Sequence, residues 1–217
     1  MRIAVVSETS AGNRNADILA ALKDRGHQVI NAGMKESGAQ PELTYIHTGL
    51  IAALLLNLKR VDFVVGGCGT GQGFLNSVLQ YPGVVCGHVL NGLDAWLFAQ
   101  INGGNCISLA LNQGYGWAGD VNLRFIFDRL LEKEFGAGYP PHRSDSQRES
   151  RAMLRRVSEA SHRPFPEVLA ALPREVIEPV LNYPGMDALI DLASADNAGV
   201  REALQAAARD RAGRKGS

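Results

Sequence analysis

The sequence predicts an α/β fold: a five-stranded parallel sheet flanked by helices, followed by a helical C-terminal extension. Three observations carry that reading. Five short apolar segments alternate with segments of helical period across residues 1–138. The third of them, Phe63-Val64-Val65, runs into a turn crowded with glycine. Beyond Tyr139-Pro140-Pro141 there are no strand signals at all. Strands that alternate with helices need crossovers between parallel neighbours, and such crossovers are right-handed.

Arg2 to Ser7 reads as a first strand, leading into the turn Glu8-Thr9-Ser10-Ala11-Gly12. Asn15 to Asp24 places Ile18, Leu19 and Leu22 at helical spacing, and Gly26 is a stop signal. His27 to Asn31 is a second strand, and a polar loop over Lys35 to Glu42 leads to a strongly apolar helix, Tyr45 to Leu58. The third strand and its glycine turn precede a short helix, Phe74 to Leu79. Val84 to His88 is a fourth strand and Cys106 to Leu111 a fifth, with a helix over Gly92 to Asn102 between them. Val121 to Phe135 repeats Leu123, Ile126, Phe127, Leu130 and Leu131 at helical spacing, and Gly136 and Gly138 end it. Two units follow, an α/β domain over 1–138 and an extension over 139–217. In the extension Pro164, Pro166, Pro173, Pro179 and Pro184 punctuate short helical pieces. Asn197 to Ala212 forms a last helix and Arg214 to Ser217 a frayed tail.

Composition narrows the function. Lys+Arg and Asp+Glu both number 22, so the formal net charge is zero and a polyanion-coating role has no support. Met1-Arg2 leads straight into a strand, which argues against a signal peptide, and the apolar stretch Gly49 to Leu56 is too short to span a bilayer. Three cysteines without C-x-x-C spacing read as reduced thiols in a cytoplasmic setting.

The glycine turn is the functional centre. In Gly66-Gly67-Cys68-Gly69-Thr70-Gly71-Gln72-Gly73 a strand, a glycine loop and a helix follow one another, which aims backbone N–H groups at an anion. A thiol and a hydroxyl, on Cys68 and Thr70, are presented at the carboxyl end of a sheet strand, where open α/β sheets bind ligands. A dinucleotide site needs its glycine fingerprint on the first strand, and here that loop has one glycine. A Walker loop needs a lysine, absent between Val61 and Tyr81. A C-x5-R phosphatase needs arginine where Phe74 stands. Proton transfer by a thiolate beside backbone donors remains.

The spacing G-C-G-T-G-x-G resembles the active-site loop of type B ribose-5-phosphate isomerases and galactose-6-phosphate isomerase subunits. The likeness extends over roughly residues 1–150, through the opening strand, Tyr45-x-His47 and Asn102. It implies a Rossmann-like three-layer sandwich, a homodimer or higher oligomer with each site at a subunit interface, and aldose–ketose isomerisation of a sugar phosphate without metal or organic cofactor. By the resemblance Cys68 is the base that moves a proton between C1 and C2 through a cis-enediol(ate), and Thr70 acts in ring opening. The amides around Gly67, Gly69, Gly71 and Gly73, with Asn102, face the developing oxyanion. Arg143 matches the first phosphate-clamping arginine, and Arg148 falls one residue off the second. Tyr45, His47, Glu8 and Thr9 complete the substrate-binding set.

This chain departs from the family's pattern at two points: Glu8-Thr9 replaces Asp-His, and Ile101 replaces the ring-opening histidine. Each candidate also has a plainer reading. Cys68 can be a small core residue, as Cys86 and Cys106 are taken to be, and Thr70 can satisfy the loop's own backbone. Tyr45 and His47 can be a helix start, Glu8 and Thr9 a helix-entry turn, Asn102 a helix cap, and His88 structural. The arginines from 143 to 156 can be a solvated face. A non-catalytic sugar-phosphate-binding subunit or sensor, and an isomerase of a non-phosphorylated sugar derivative, are the competing functions.

Overall fold

The computed structural model describes residues 1–194 and 197–212, with side chains through residue 207; the tail expected over Arg214 to Ser217 lies outside the described residues. Five parallel strands are present: β1 (Arg2–Ser7), β2 (Gln28–Asn31), β3 (Phe63–Cys68), β4 (Cys86–Val89) and β5 (Cys106–Ala110). They lie in the order β2-β1-β3-β5-β4. All neighbouring pairs are parallel, with Ser7 beside Gly67 and Cys68 beside Ala110. The α/β Rossmann-like architecture expected from the sequence is therefore the observed one.

Strand side chains alternate between two apolar layers, as the pleat requires. Ile3, Val5, Phe63, Val65 and Ile107 face α1 (Asn15–Leu22), α4 (Gly92–Leu97) and α5 (Gly119–Leu130). Ala4, Val6, Val64 and Cys106 face α2 (Tyr45–Asn57) and α3 (Gln72–Val78). The helix after β1 and the helix before β3 thus lie on opposite faces of the sheet. Their adjacent strands β1 and β3 form the switch point of the winding, where a crevice opens at the carboxyl ends.

The middle of α2, Thr48 to Leu55, is buried on every side. A helix apolar all round must be covered twice, and the extension supplies the second cover. Phe165 and Leu169 on α7 (Phe165–Ala171), Ile177 and Val180 on α8 (Arg174–Leu181), Met186 and Ile190 on α9 (Met186–Ile190), and Val200 and Leu204 on α10 (Ala198–Ala212) join the same apolar layer as α2. Polar ties add to the packing: Tyr183 donates to the Gly33 carbonyl at 3.2 Å, and Arg60 donates to the carbonyls of Ile190 and Asp191 at 2.9 and 2.6 Å.

Several boundaries differ from the sequence reading. The turn after β1 winds as a 3-10 helix over Thr9–Arg14. β3 runs on through Gly66, Gly67 and Cys68, because β1 and β5 pair with it on both sides. The helix expected to reach Asn102 changes to a π turn over Phe98–Asn102, and Gly103, at φ 55°, accommodates the left-handed cap by donating to Phe98 at 3.0 Å. The helix expected to end at Phe135 stops at Leu130, and Phe135 instead packs on Phe63 with ring centroids 5.3 Å apart. Ahead of the prolines that separate the short helices α7–α9, the first part of the extension is one 18-residue helix, α6 (Ser144–Ser161). Its charged and serine-rich run contains no proline to interrupt it.

Candidate active site

β3 delivers Cys68 to the carboxyl edge of the sheet, where the chain turns through Gly69, Thr70 and Gly71 into α3. Gly71 has φ 77°, a left-handed conformation that favours glycine. A Cβ on it would lie 2.6 Å from His88 Nε2. Cys68 is 6% exposed, and its Sγ stands 4.0 Å from Thr70 Oγ1. That hydroxyl also accepts the N–H of Gln72, the first residue of α3, at 3.2 Å while facing the sulfur. The expected backbone role of Thr70 is thus visible in the bond to Gln72.

The turn is braced from three sides. His88 Nε2 lies 3.0 Å from the Thr70 carbonyl, and Gln72 Nε2 lies 3.4 Å from His88 Nδ1. A carbonyl only accepts and an amide nitrogen only donates, so this ring carries its proton on Nε2. Ser108 donates to the Gly71 carbonyl at 2.5 Å. From the β1 side Ser10 Oγ accepts the Gly69 N–H at 3.1 Å and donates in turn to the carboxyl of Glu8, which is 3% exposed. From the β5 side the N–H groups of Asn112 and Gln113 donate to the Gly69 carbonyl at 3.0 and 2.8 Å.

These bonds sort the glycine amides. The Gly69 N–H is committed to Ser10 and the Gly71 N–H to the Cys68 carbonyl at 3.3 Å. Gly73 lies in the first turn of α3, where an N–H has no intrahelical acceptor. Gly67 sits inside β3, packed against the Leu109 carbonyl. Of these four glycines, only Gly73 lies in the first turn of a helix, where an N–H is available to a ligand.

The other expected residues divide into two groups. Tyr45 opens α2 and lays its ring over Gly73, where a Cβ would stand 3.0 Å from it. Thr9 donates its N–H to the Leu43 carbonyl at 2.9 Å, joining the β1 loop to the start of α2. His47 has both ring nitrogens engaged, Nδ1 with the Thr44 N–H and Nε2 with the Glu175 carbonyl, each at 3.0 Å. It caps α2 and straps α8 onto it.

Asn102, Arg143 and Arg148 lie at the other edge. Cys106 pairs with Val64 at the start of β3, and Asn102 precedes Cys106, so at least about 13 Å of strand separates it from the level of Cys68. Gly136 and Gly138 bond to the Ala99 and Gln100 carbonyls at 2.7 and 2.9 Å, and Arg151 donates to the carbonyls of Ile101 and Gly136 at 2.8 and 2.9 Å. These ties hold the start of α6, with Arg143 and Arg148, beside the π turn. Both arginines are exposed; Arg143 donates to Ser146 Oγ at 3.1 Å, and Arg148 pairs with Asp145 at 3.1 Å, an exposed pair of small energetic weight.

Sequence reasoning did not single out Ser10, Gln72, Asn112 or Arg151. A polar residue in a turn gives no signal of its own; only the pairing of Ser7 with Gly67 shows that the β1 turn meets the Cys68 turn. Cys86 and Cys106 are neighbours in register, and burial, then a hydrogen bond with Cys86, pushes the Cys106 thiol well up. The core reading of Cys106 fits. Among the described residues no three His, Cys, Asp or Glu side chains converge as metal ligands, and no helix is long and apolar enough to cross a membrane.

The ribose/galactose isomerase family model matches residues 3–145 of this chain. The chain belongs to the ribose/galactose isomerase family. A ribose-5-phosphate isomerase structure from Vibrio parahaemolyticus is 40% identical, with a TM-score of 0.89 over 95% of this chain and 99% of that one. A 4-deoxy-L-threo-5-hexosulose-uronate ketol-isomerase, solved with a tartrate, is 33% identical with a TM-score of 0.89, over 96% of this chain and all of that one. Both span the extension as well as the sheet. A type B ribose-5-phosphate isomerase from Clostridium thermocellum is 22% identical with a TM-score of 0.61 over 74% of this chain, which shows the shared fold. No curated protein matches. Membership in a sugar-isomerase family thus agrees with the resemblance carried by the Cys68 loop.

Proposed function

We propose that this protein is a cofactor-independent aldose–ketose isomerase of a sugar phosphate, with Cys68 as the base. The observation that carries the reading is the thiol itself, held at the switch-point crevice beside the Thr70 hydroxyl and the start of α3. A proton alpha to a carbonyl is too weakly acidic to remove unless the enediolate charge meets preorganised donors, worth about 3–4 kcal/mol each. Thr70 serves ring opening, the Gly73 amide faces the enediolate oxygen, and Tyr45 and Thr9 line the sugar.

The phosphate clamp belongs to a second copy. Asn102, Arg143 and Arg148 of one chain stand at the amino edge, so they meet Cys68 only across an isologous dimer interface. Exposed apolar side chains on the same helix support that pairing: Met153, Leu154 and Val157 on α6 are each more than half exposed. Arginine suits the clamp because its planar fork binds phosphate through two donors.

The likeness to a uronate ketol-isomerase favours a second reading, isomerisation of a non-phosphorylated acid sugar by the same thiol. The test is turnover of D-ribose 5-phosphate, D-galactose 6-phosphate and a 5-keto hexuronate by the wild type and by Cys68→Ala. Conversion of a phosphosugar that collapses in Cys68→Ala is the expected result. Turnover of the uronate alone replaces the substrate. Equal rates for the two proteins remove the mechanism, and thermal stabilisation without turnover or proton exchange makes the chain a sensor.

A further inference from the structure

We propose that Ser10 and Glu8 form a second proton relay in this site, carrying the proton between the two substrate oxygens while Cys68 carries the one between its carbons. The inference rests on the isomerase reading above. It starts from the bonds made by one hydroxyl. A serine hydroxyl has one proton and two lone pairs. Ser10 gives its proton to the Glu8 carboxyl and one lone pair to the Gly69 N–H, the amide directly after Cys68. The second lone pair is left for a ligand.

Ser10 itself is exposed, so a ligand can reach that lone pair. A Cβ built on Gly69 would stand 3.4 Å from Ser10 Oγ and 3.5 Å from Asn112 Nδ2, ordinary contact distances to two polar atoms. The Ser10 hydroxyl and the Asn112 amide thus flank one face of Gly69. Asn112 also holds the arrangement together, since its side chain donates to the Ser10 carbonyl at 2.7 Å while its backbone N–H bonds Gly69. The turns after β1, β3 and β5 are thereby tied into one piece, with Ser10 and Cys68 fixed relative to each other.

Glu8 is difficult to explain as scaffolding alone. It is 3% exposed, and among the described residues its carboxyl has no cationic partner, only the Ser10 hydroxyl. Fixing the Gly69 peptide needs no more than the serine, so that role does not account for the buried carboxyl behind it.

The chemistry needs what this pair offers. The aldose carries a carbonyl at C1, and a hydrogen and a hydroxyl at C2. The Cys68 thiolate takes the C2 proton; the released electron pair forms the C1–C2 double bond as the carbonyl pair moves onto O1. O1 must then gain a proton, and O2 must lose one before its carbonyl forms. In the relay, O2–H passes its proton to Ser10 Oγ as Ser10 passes its own to Glu8 Oε1. The reverse transfer gives O1 its proton and restores both residues, and the thiol returns the first proton to C1. No electrons leave the substrate. The cis-enediol places O1 and O2 on one side, within reach of a single hydroxyl.

The test separates carbon chemistry from oxygen chemistry. Net isomerisation, and uptake of solvent deuterium at the substrate carbon, are followed by NMR for D-ribose 5-phosphate, D-galactose 6-phosphate and a 5-keto hexuronate. The proteins are the wild type, Cys68→Ala, Ser10→Ala, Ser10→Thr and Glu8→Gln. Glutamine keeps the shape of Glu8 and an acceptor for Ser10 but cannot store the proton. Isomerisation by Glu8→Gln is expected to fall by about 10²–10³-fold, with deuterium uptake falling less than about tenfold by the same general acid–base reasoning. Ser10→Ala should behave alike, and Ser10→Thr should recover most of the loss. If Glu8→Gln and Ser10→Ala lower both rates by one factor, the pair only holds the loop and the relay is overturned. Unchanged rates overturn it too. Failure of the isomerase reading looks different: the wild type itself would show neither turnover nor uptake, or Cys68→Ala would retain both.

Discussion

The two edges of the sheet are built in opposite ways. At the carboxyl edge Cys68 is nearly buried, and its turn is tied to β1, β4 and β5 through Ser10, His88, Asn112 and Ser108. At the amino edge Asn102, Arg143 and Arg148 are exposed, and no residue of α6 is buried. One edge is finished within the chain. The other presents a rigid mount, fixed by Arg151, with its cationic side chains projecting into solvent. In the proposed mechanism a single chain therefore holds the thiol without the arginines and the arginines without the thiol.

Several variants would break or sharpen this contrast. Cys68→Ala should cause the largest change, lowering turnover and carbon-proton exchange by about 10³-fold or more while leaving the melting temperature nearly unchanged. Equal exchange in the two proteins would place the base elsewhere. Arg143→Ala should act on binding instead, raising KM for a phosphosugar by about 10–100-fold, the loss of a charge-assisted bond, with a smaller change in kcat. An unaltered KM would favour a non-phosphorylated substrate. Gly71→Ala forces a side chain into a left-handed backbone position and against His88, and should cost about 1–3 kcal/mol in denaturant unfolding as well as activity. Unchanged stability would show that the turn can relax.

The smallest effect belongs to a charge pair at the amino edge outside the clamp. Arg2 bonds Asp62 at 2.6 Å and holds its carboxyl below the ordinary value of 3.8, chiefly through the side-chain hydrogen bond. A carboxyl whose folded value is lowered contributes stability above its unfolded value and loses it as pH falls below that point. Asp62→Asn should therefore reduce stability slightly at pH 7, with the difference vanishing on acidification below about 3.8, and should leave KM alone. A shift in KM would extend the clamp to this pair.

Much of this was legible in the residues. The strands are short, mostly apolar runs bounded by turn signals, and the Cys68 turn declared itself through glycine density and one spacing. The site's supports were not legible, because they depend on register: Ser10 reaches Gly69 only because β1 lies against β3, and Asn112 because β5 lies on the other side. The role of α7–α10 was hidden for a similar reason. A helix such as α2, apolar on all faces, signals a missing cover but not which segment supplies it. Gly103 took the helix-cap role weighed for Asn102, since only glycine enters the left-handed region without strain.

The most direct test of the central claim, that each site joins the carboxyl edge of one chain to the amino edge of another, is complementation. Cys68→Ala and Arg143→Ala proteins are mixed under conditions that allow subunit exchange and assayed at substrate concentrations well below KM. Mixed dimers carry one doubly altered site and one intact site, so random pairing should restore about a quarter of the wild-type rate per chain. A mixture no more active than the sum of its parts would mean that the thiol and the arginine of one chain serve the same site, contradicting the account.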